Sequence, residues 1–253
     1  MEKQKPYGTV LIKASYILDY LAGMPNSSLQ AIAKGTQLTS STALKILDTL
    51  ILIGYVEKNV DKTYRLGSRL IRYANHDLEQ NALVETTRPY LELLNEEVDE
   101  TIHLGILATD EILYLNKIEP KGQTILMSSK IGITRPLYAS AMGKAVLAEF
   151  SPEEYASYLE KTQLLPYTAH TITNSLKLAD EIQQVQKSQV AFDDEEMEKD
   201  IFCVGATLMA NQEIQGAFSV SLPKYRLTPE FRDKVIRLVL ETKAQIEMQL
   251  QQK

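Results

Sequence analysis

The side chains of this sequence that could act as nucleophiles or metal ligands are few and widely spaced. The chain has one cysteine, Cys203, and three histidines, His76, His103 and His170. A thiol beside an imidazole can be a nucleophile, but no local signature supports such a pair, and a lone cysteine in an apolar segment usually serves packing. The spacing matches no CxxC or HxxxH pattern of metal ligands. The sequence therefore predicts no metal site and no cofactor, and it favours a function other than catalysis.

A run of hydroxyl side chains precedes an apolar pattern early in the chain. Thr39, Ser40, Ser41 and Thr42 are followed by Lys45. Hydroxyl groups, the unpaired amides of a helix start and an ammonium group suit phosphate oxygens and base edges in a major groove. The plainer interpretation is a helix cap with a solvated lysine.

The residues that follow predict a helix that turns this polar run outward. Ala43, Ile46, Leu47 and Leu50 recur at three- and four-residue spacing, so they share one inward face. Gly54 then stands where a residue with left-handed backbone is expected to end the helix.

The flanking segments complete a known order of elements. Amphipathic patterns predict helices over 9–21 and from Ser28, and residues 55–58 and 63–66 predict a two-stranded ribbon. A helix, a helix-turn-helix pair and a ribbon together make a winged helix-turn-helix. Lys58 and Lys62 lie near the tip of the ribbon, where a contact with the DNA backbone or minor groove is geometrically possible.

Charge is unevenly distributed along the chain. The formal net charge of −6 by itself argues against a DNA-binding protein, because affinity for DNA comes largely from neutralised phosphates. Residues 1–75, however, carry ten lysines and arginines against five acids, a net +5, and the remainder carries −11. A basic first third on an acidic body indicates a DNA-binding module joined to a part that does not touch DNA.

Length and cysteine content suggest a cytoplasmic protein of two domains. A chain of 253 residues is long enough for two separate cores, and a single cysteine excludes an internal disulfide framework. No apolar run approaches the roughly 18 residues of a membrane span, and the segment MEKQKPYG lacks the apolar centre of a signal peptide. We expect a cytoplasmic location and no membrane contact.

The later two-thirds of the chain mix strand and helix patterns, which predicts an α+β domain with an antiparallel sheet. A helix is expected from Asn81 across Pro89, followed by a hairpin around Thr109 and Asp110. The predicted strands cover 102–107, 112–118, 125–128, 203–209 and 214–221, and the predicted helices cover 141–149, 152–160, 175–189 and a terminal segment after Thr228.

Two stretches of this later part could bind a small molecule. Residues 139–144 form a loop of small side chains that opens a helix, and the amides of such a helix start can hold a carboxylate or another small anion. A plain helix cap is the alternative. Ser219 and Ser221 are separated by one residue on a predicted strand and therefore point the same way, either into a pocket or into solvent.

Seven segments carry a resemblance to a known family. SLQAIA, TSSTALKIL, LILIGYVEK and TYRLGSRL, followed by RPLYASAMGKAVLAEF, FDDEEMEKDIFCVGATL and AFSVSLPKYRLT, resemble in order the IclR family of bacterial transcriptional regulators. Gln37 stands where the family usually has a turn glycine, and Lys45 where it usually has arginine. Because lysine lacks the planar fork that matches guanine, we expect Lys45 to contact phosphate rather than a base.

The resemblance implies the fold and the partners of the chain. It implies a winged helix-turn-helix domain over 1–67, a linker helix over 68–80, and an effector-binding domain similar to GAF domains over 81–253. The implied partners are a double-stranded DNA operator, a small-molecule effector such as a small carboxylate, and further copies of the chain in a dimer or tetramer. The expected DNA-contacting residues are Thr39, Ser40, Ser41, Thr42, Lys45, Lys58 and Lys62.

The resemblance also implies an effector site in the second domain. Its expected residues are Ser140, Ala141, Met142, Asp193, Cys203, Ser219 and Ser221. Asp193 would accept a hydrogen bond from a ligand hydroxyl and Cys203 would line the pocket floor, whereas Glu195 and Glu196 are expected to face water. Asp200 stands where the family usually has glycine.

Two other classes of protein remain open at this point. A ligand-independent structural protein that binds DNA would keep the winged helix and lack the pocket. An enzyme using Cys203 would turn over a small molecule. A change of heat stability on ligand addition separates the regulator from the structural protein, and turnover separates both from the enzyme.

Overall fold

The computed structural model describes residues 8–70, 78–123 and 127–252. The chain forms two compact units, Met1–Leu78 and Glu79–Lys253. The first unit contains α1 (Thr9–Gly23), α2 (Leu29–Gly35), α3 (Ser40–Leu52) and an antiparallel ribbon of β1 (Val56–Lys58) and β2 (Tyr64–Leu66). This is the predicted order of a winged helix-turn-helix.

The helices of the first unit each turn one apolar face toward a common core. Ile17 of α1, Ile32 of α2 and both Ala43 and Leu47 of α3 are 0% exposed. Tyr64 of β2 closes the core from the ribbon side. Because the inward face of α3 is fixed by these contacts, its opposite face is turned to solvent, as the spacing predicted.

Two left-handed residues set the turns around α3. Gln37, between α2 and α3, has a φ of 56°. This position therefore has the left-handed backbone conformation that glycine adopts most readily, although the residue is glutamine. The amide of Leu38 then donates to the Ala33 carbonyl oxygen at 3.0 Å. Gly54 has a φ of 75° just beyond α3, in agreement with its predicted place.

The segment after the ribbon is where the linker helix over 68–80 is predicted. Residues Ser68–Leu70 form a short 3-10 helix. Residues 71–77 lie outside the described part of the chain. The next helix, α4, runs over Leu78–Val98 without interruption and contains Pro89.

The second unit is built on a six-stranded sheet in the order β5-β4-β3-β8-β7-β6, with every pair antiparallel. The strands are β3 (Thr101–Ala108), β4 (Glu111–Ile118), β5 (Thr134–Pro136), β6 (Ala191–Asp194), β7 (Ile201–Ala210) and β8 (Glu213–Pro223). The predicted class, α+β with an antiparallel sheet, is confirmed.

Helices cover both faces of this sheet. The remaining helices are α5 (Ala141–Leu147), α6 (Pro152–Lys161), α7 (Ser175–Ser188) and α8 (Pro229–Leu250). One core packs α4 and α8 on Leu104, Val204 and Val220, and the other packs α5, α6 and α7 on the opposite face. Since side chains alternate along a strand, the neighbours of these core residues point toward α5.

Two sequence predictions for the second unit need correction, and two short strands of its sheet were not predicted. Of the predicted strand over 125–128, residues 125 and 126 lie outside the described part, and Met127 and Ser128 are not in a strand. The strand beside β4 is β5, and β6 was not foreseen. Glu195 and Glu196 do not face water: they are 8% and 4% exposed, because each binds a lysine.

Candidate functional site

The hydroxyl run caps α3. Thr39 Oγ1 accepts a hydrogen bond from the Thr42 amide at 3.2 Å, and the Thr39 hydroxyl donates to Thr42 Oγ1 at 2.9 Å. Both threonine side chains are therefore engaged within the protein, and Thr42 is half-buried. Ser40 and Ser41 are exposed at the first turn, where helix amides have no partner of their own.

Lys45 extends this exposed face by one turn of α3. Its side chain is exposed, and it takes part in none of the ion pairs found among the described residues. Ser40, Ser41 and Lys45 thus form a polar, cationic face, defined here as the α3 face. Such a face suits phosphate oxygens and base edges.

The ribbon presents Lys58 and Lys62 in a braced turn. Lys62 is exposed and has a φ of 66°. The turn is held by Asn59, whose Nδ2 donates to Asn26 Oδ1 and Thr63 Oγ1, each at 2.9 Å. The Lys58 ammonium lies 5.4 Å from the centroid of the Tyr64 ring. The two lysines therefore lie as cations near the tip of the ribbon, beside a turn held by these hydrogen bonds.

A cavity in the second unit lies against the sheet face that α5 covers, and we call it the sheet cavity. Its volume of about 40 Å³ is enough for a few water molecules or for a ligand of a few heavy atoms. Every strand contributes to its wall: His103 from β3, Tyr114 from β4, Arg135 from β5, Asp193 from β6, Cys203 from β7, and Ser219 and Ser221 from β8.

The strand register explains why these residues meet. Asp193 is the partner of Cys203, and Cys203 is the partner of Ser221, so the three form one row across β6, β7 and β8. His103 and Ser219 are partners across β3 and β8. Residues two apart on a strand share a face, which places this second pair beside the first row.

The start of α5 covers the sheet cavity. A Cβ atom on Gly205 would lie 2.7 Å from the Ala141 carbonyl carbon and 2.8 Å from the Met142 nitrogen, so only glycine allows α5 to approach β7 this closely. Ser140 caps α5: its Oγ accepts from the Gly143 amide at 3.1 Å and donates to the Pro136 carbonyl oxygen at 2.9 Å. Ser140, Ala141 and Met142 thereby reach the cavity wall.

A neutral imidazole and a neutral thiol face the cavity. His103 lies between two serines, with Nε2 2.7 Å from Ser129 Oγ and Nδ1 3.2 Å from Ser221 Oγ. Burial, with help from the charges of Lys117 and Arg135, lowers the His103 pKa to about 3. Burial and the nearby Asp193 raise the pKa of the Cys203 thiol well above its usual range. At neutral pH neither group carries a charge.

Asp193 is a buried carboxyl at the cavity wall. Its Oδ1 accepts hydrogen bonds from the Glu196 amide at 2.7 Å and the Met197 amide at 3.3 Å. Burial raises the Asp193 pKa to about 6, and the two amides and Lys144 act in the opposite direction. The carboxyl is therefore mostly ionised at neutral pH and can accept a hydrogen bond.

Behind Asp193 lies a buried ion pair that the sequence did not predict. Lys144 of α5 is 1% exposed and binds Glu196, with Glu181 of α7 at 3.2 Å. Burial raises the Glu196 pKa to about 7 although Lys144 acts to lower it. The pair ties α5 to the loop that carries the Asp193 hydrogen bonds.

All seven expected effector residues line the sheet cavity, and sequence reasoning missed several of its other residues. The missed side chains that carry chemistry are His103, Tyr114, Ser129, Arg135 and Glu198. His103 was named only as a partner for Cys203. A signal existed for it: His103 follows the alternation of β3 and therefore points away from the apolar core. Arg135 and Ser129 carry no such periodic signal.

Comparison with known proteins identifies the family. Residues 10–60 match the IclR helix-turn-helix domain, and residues 75–248 match the C-terminal domain of the bacterial transcriptional regulator IclR. The chain belongs to the IclR family. Its IclR-type architecture agrees with the structures of both units.

Individual members of the IclR family match over nearly the whole chain. An uncharacterized HTH-type transcriptional regulator of Haemophilus influenzae is 30% identical over 99% of this chain and 96% of its own length. The crystal structure of IclR from Thermotoga maritima is 31% identical with a TM-score of 0.72, covering 96% and 99% of the two chains. An IclR homolog of Microbacterium hydrocarbonoxydans, crystallised with 4-hydroxybenzoate, shares the fold with a TM-score of 0.78 at 21% identity, over 95% and 98%.

Family membership makes this chain an IclR-type DNA-binding transcriptional regulator. Across the described residues, no group of three or more acidic, histidine or cysteine side chains is arranged to hold a metal ion. Within the same part of the chain, no helix is long and apolar enough to cross a membrane.

Proposed function

We propose that this IclR-family protein is a cytoplasmic one-component regulator. The first unit binds a double-stranded operator, and a small polar effector in the sheet cavity modulates that binding. The observation that carries the proposal is the meeting of Asp193, Cys203, Ser219 and the start of α5 around one cavity. A protein that only bound DNA would have no need for a polar cavity in its second unit.

The arrangement of donors and acceptors supports an effector rather than a substrate. A nucleophilic cysteine needs a thiolate, usually beside a cationic imidazole. Here burial favours the neutral forms of both Cys203 and His103, and Ser221 stands between them. His170 is exposed, and His76 lies outside the described residues. We infer that the protein is not an enzyme.

The DNA half of the proposal is tested at Lys45. Lys45→Ala removes one cation from the α3 face without touching the core, so the fold should be retained. Operator affinity should fall at moderate salt, and the slope of log affinity against log salt should become shallower by about one phosphate contact. Lys177→Ala, an exposed lysine of α7, is the matched control and should leave both quantities unchanged. Equal slopes for Lys45→Ala and wild type would remove Lys45 from the interface.

The effector half is tested at Ser219. Among the described residues no hydrogen bond to the Ser219 hydroxyl was found, whereas Ser221 holds His103, so Ser219→Ala removes a cavity hydroxyl with little effect on the protein itself. A bound ligand that used this hydroxyl would lose about 1 to 3 kcal/mol of binding free energy. The measurement is calorimetry with compounds found by a thermal-shift screen of small carboxylates and hydroxy compounds.

Operator binding provides the second readout for Ser219→Ala. A ligand changes DNA affinity only through its preference for one state of the protein over another. The variant should therefore bind operator without ligand, since Ser219 belongs to the other unit, and respond only at higher ligand concentration. Unchanged ligand affinity would place the effector site elsewhere. A wild-type protein that binds operator and responds to no compound would favour the ligand-independent structural protein.

A further inference from the structure

Arg135 is a cation in the sheet cavity, and no acidic partner for its charge is found in the described part of the chain. It lies at the middle of β5, in register with Ile112 of β4, and its side chain lines the cavity and is half-buried. None of the ion pairs found within 4.0 Å among the described residues includes it. The Arg135 guanidinium lies close enough to the Tyr114 hydroxyl to act on the Tyr114 pKa, which it lowers against the larger effect of burial, and it carries five N–H donors.

The acids that share the cavity with Arg135 are engaged elsewhere. Asp193 accepts two backbone amides through Oδ1. Glu198 Oε2 accepts from the Ser128 hydroxyl at 3.3 Å. Neither approaches Arg135 closely enough to form an ion pair, so the guanidinium charge remains to be balanced by something that enters the cavity.

Lys117, the other cation that acts on the pKa of His103, already has partners of its own. Lys117 Nζ donates to the Met127 and Ser129 carbonyl oxygens at 2.7 and 2.9 Å and pairs with Glu119 at 2.6 Å. The chain thus neutralises one cation next to the cavity and leaves the other open. The planar fork of a guanidinium matches a carboxylate with two parallel hydrogen bonds.

The start of α5 is a weaker anion site than its small residues suggested. Two amides of α5 already donate to Ser140. The Gly143 amide donates to Ser140 Oγ, and the Lys144 amide donates to the Ser140 carbonyl oxygen at 2.9 Å. The Met142 nitrogen is packed against Gly205, where an added Cβ atom would lie 2.8 Å from it. The helix has only the seven residues Ala141–Leu147, so its dipole is small.

We propose, as a deepening of the proposed function, that Arg135 is the residue of the sheet cavity that binds the anionic end of the effector. The carboxylate lies against the guanidinium and the Tyr114 hydroxyl on the β4 and β5 side. The hydroxyl of the effector donates to Asp193 and exchanges hydrogen bonds with Ser219 on the β6 and β8 side. The two walls therefore select for a molecule with an anionic end and a donor end.

The experiment compares acids with their neutral amides. The probes are glycolate, lactate, glycerate and 4-hydroxybenzoate, each paired with its amide, which keeps the hydroxyl and the size and removes the charge. Binding to the full-length protein is followed by calorimetry and thermal shift. For wild type we expect at least one acid to bind more tightly than its amide.

Three variants test whether Arg135 causes this preference. Arg135→Gln should weaken binding of the acid by about ten- to a hundredfold, leave binding of the amide close to wild type, and so abolish the preference. Arg135→Lys keeps the positive charge but lacks the planar guanidinium, and it should retain part of the preference for the acid over the amide. Lys130→Gln removes an exposed charge five positions earlier, outside the cavity lining, and should behave as wild type. Thermal unfolding of each variant shows that it is folded.

The outcomes separate this inference from the proposed function. An Arg135→Gln variant that keeps the wild-type preference for acid, or that loses acid and amide equally, overturns the role of Arg135. A wild-type protein that binds none of the acids overturns it as well. In either case the operator and Ser219→Ala measurements with another compound can still support the regulator. Failure of those measurements, with the acid preference intact, would instead contradict the proposed coupling to DNA.

Discussion

Asp193 and Glu196 show how burial sets the state of single side chains around the sheet cavity. Burial is the largest influence on both carboxyls, and it raises the Asp193 pKa to about 6 and the Glu196 pKa to about 7. Their hydrogen bonds and Lys144 counteract this effect without cancelling it. The protein therefore keeps two carboxyl groups that gain or lose a proton close to neutral pH beside its proposed effector site.

Asp193→Asn should change how stability depends on pH. Asparagine keeps an oxygen that can accept from the Glu196 and Met197 amides. The Asp193 pKa is about 6 in the folded state against an ordinary value of 3.8, so its stabilising contribution is fully present below 3.8 and is lost as pH rises through about 6. Wild type should therefore lose stability relative to the variant between about pH 4 and pH 7, by up to roughly 3 kcal/mol. Urea unfolding at several pH values measures this, and parallel curves for the two proteins would contradict it.

Predictions for single residues succeeded where the spacing along the sequence determines the direction of a side chain. They failed where the environment of a side chain depends on residues far away in the sequence. Ser219 and Ser221 were placed together because strand alternation fixes their direction. Glu195 and Glu196 were expected in water because an acidic run gives no sign of Lys224 or Lys144, which come from distant segments. Ion pairs between remote residues leave no periodic pattern in a sequence.

At the scale of elements, one close contact between α5 and β7 shapes the sheet cavity. Glycine at position 205 lets the backbone of α5 rest on the strand, and this contact brings Ala141 and Met142 to the same wall as Cys203. A helix held at a greater distance would open the cavity to solvent and separate Lys144 from Glu196. The shape of the sheet cavity therefore depends on the short distance between α5 and β7 at Gly205.

Gly205→Ala should destabilise the second unit. The added methyl would meet backbone atoms at 2.7 and 2.8 Å, which cannot move without shifting the helix, and overpacking of this kind costs about 1 to 3 kcal/mol. Gly23→Ala is the matched control, because a Cβ there meets nothing within 4 Å and alanine favours the helix. Denaturant unfolding compares the two. Similar stability for both variants would show that α5 is not pinned by this contact.

The long elements could be predicted from sequence, and the short edge strands could not. The hairpin of β3 and β4, the pair β7 and β8 and the helix after Thr228 each extend over enough residues for a period to repeat. β5 has three residues and β6 has four, too few for alternation to be read. Since Arg135 and Asp193 lie on these two edge strands, the sheet cavity could be predicted only in part.

At the scale of the whole molecule, charge and surface composition point to different partners for the two units. The first 75 residues carry +5 and the rest −11, so attraction to DNA is confined to the winged helix. A single winged helix reads few base pairs, and selectivity in a genome requires two of them on a two-part site. The protein should therefore act as a dimer at least.

The outer side of α1 is the surface we expect to form that dimer. Leu11, Ile12 and Tyr16 lie on the solvent side of α1, away from the buried Ile17, and are 72%, 37% and 53% exposed. Single exposed apolar residues are normal, but several on one side of one helix mark an interface.

Leu11→Glu tests this assembly. The side chain is mostly exposed, so the monomer should fold, but a buried carboxylate in the dimer contact has no partner and should weaken association. Sedimentation at micromolar concentration should then show a smaller species than wild type, and operator affinity should fall because two half-sites are no longer bound together. Leu176→Glu, at a leucine of α7 that is 75% exposed, is the control and should sediment as wild type. If Leu11→Glu keeps the wild-type mass, or if wild type itself is a monomer that binds its operator specifically, α1 is not the dimer contact.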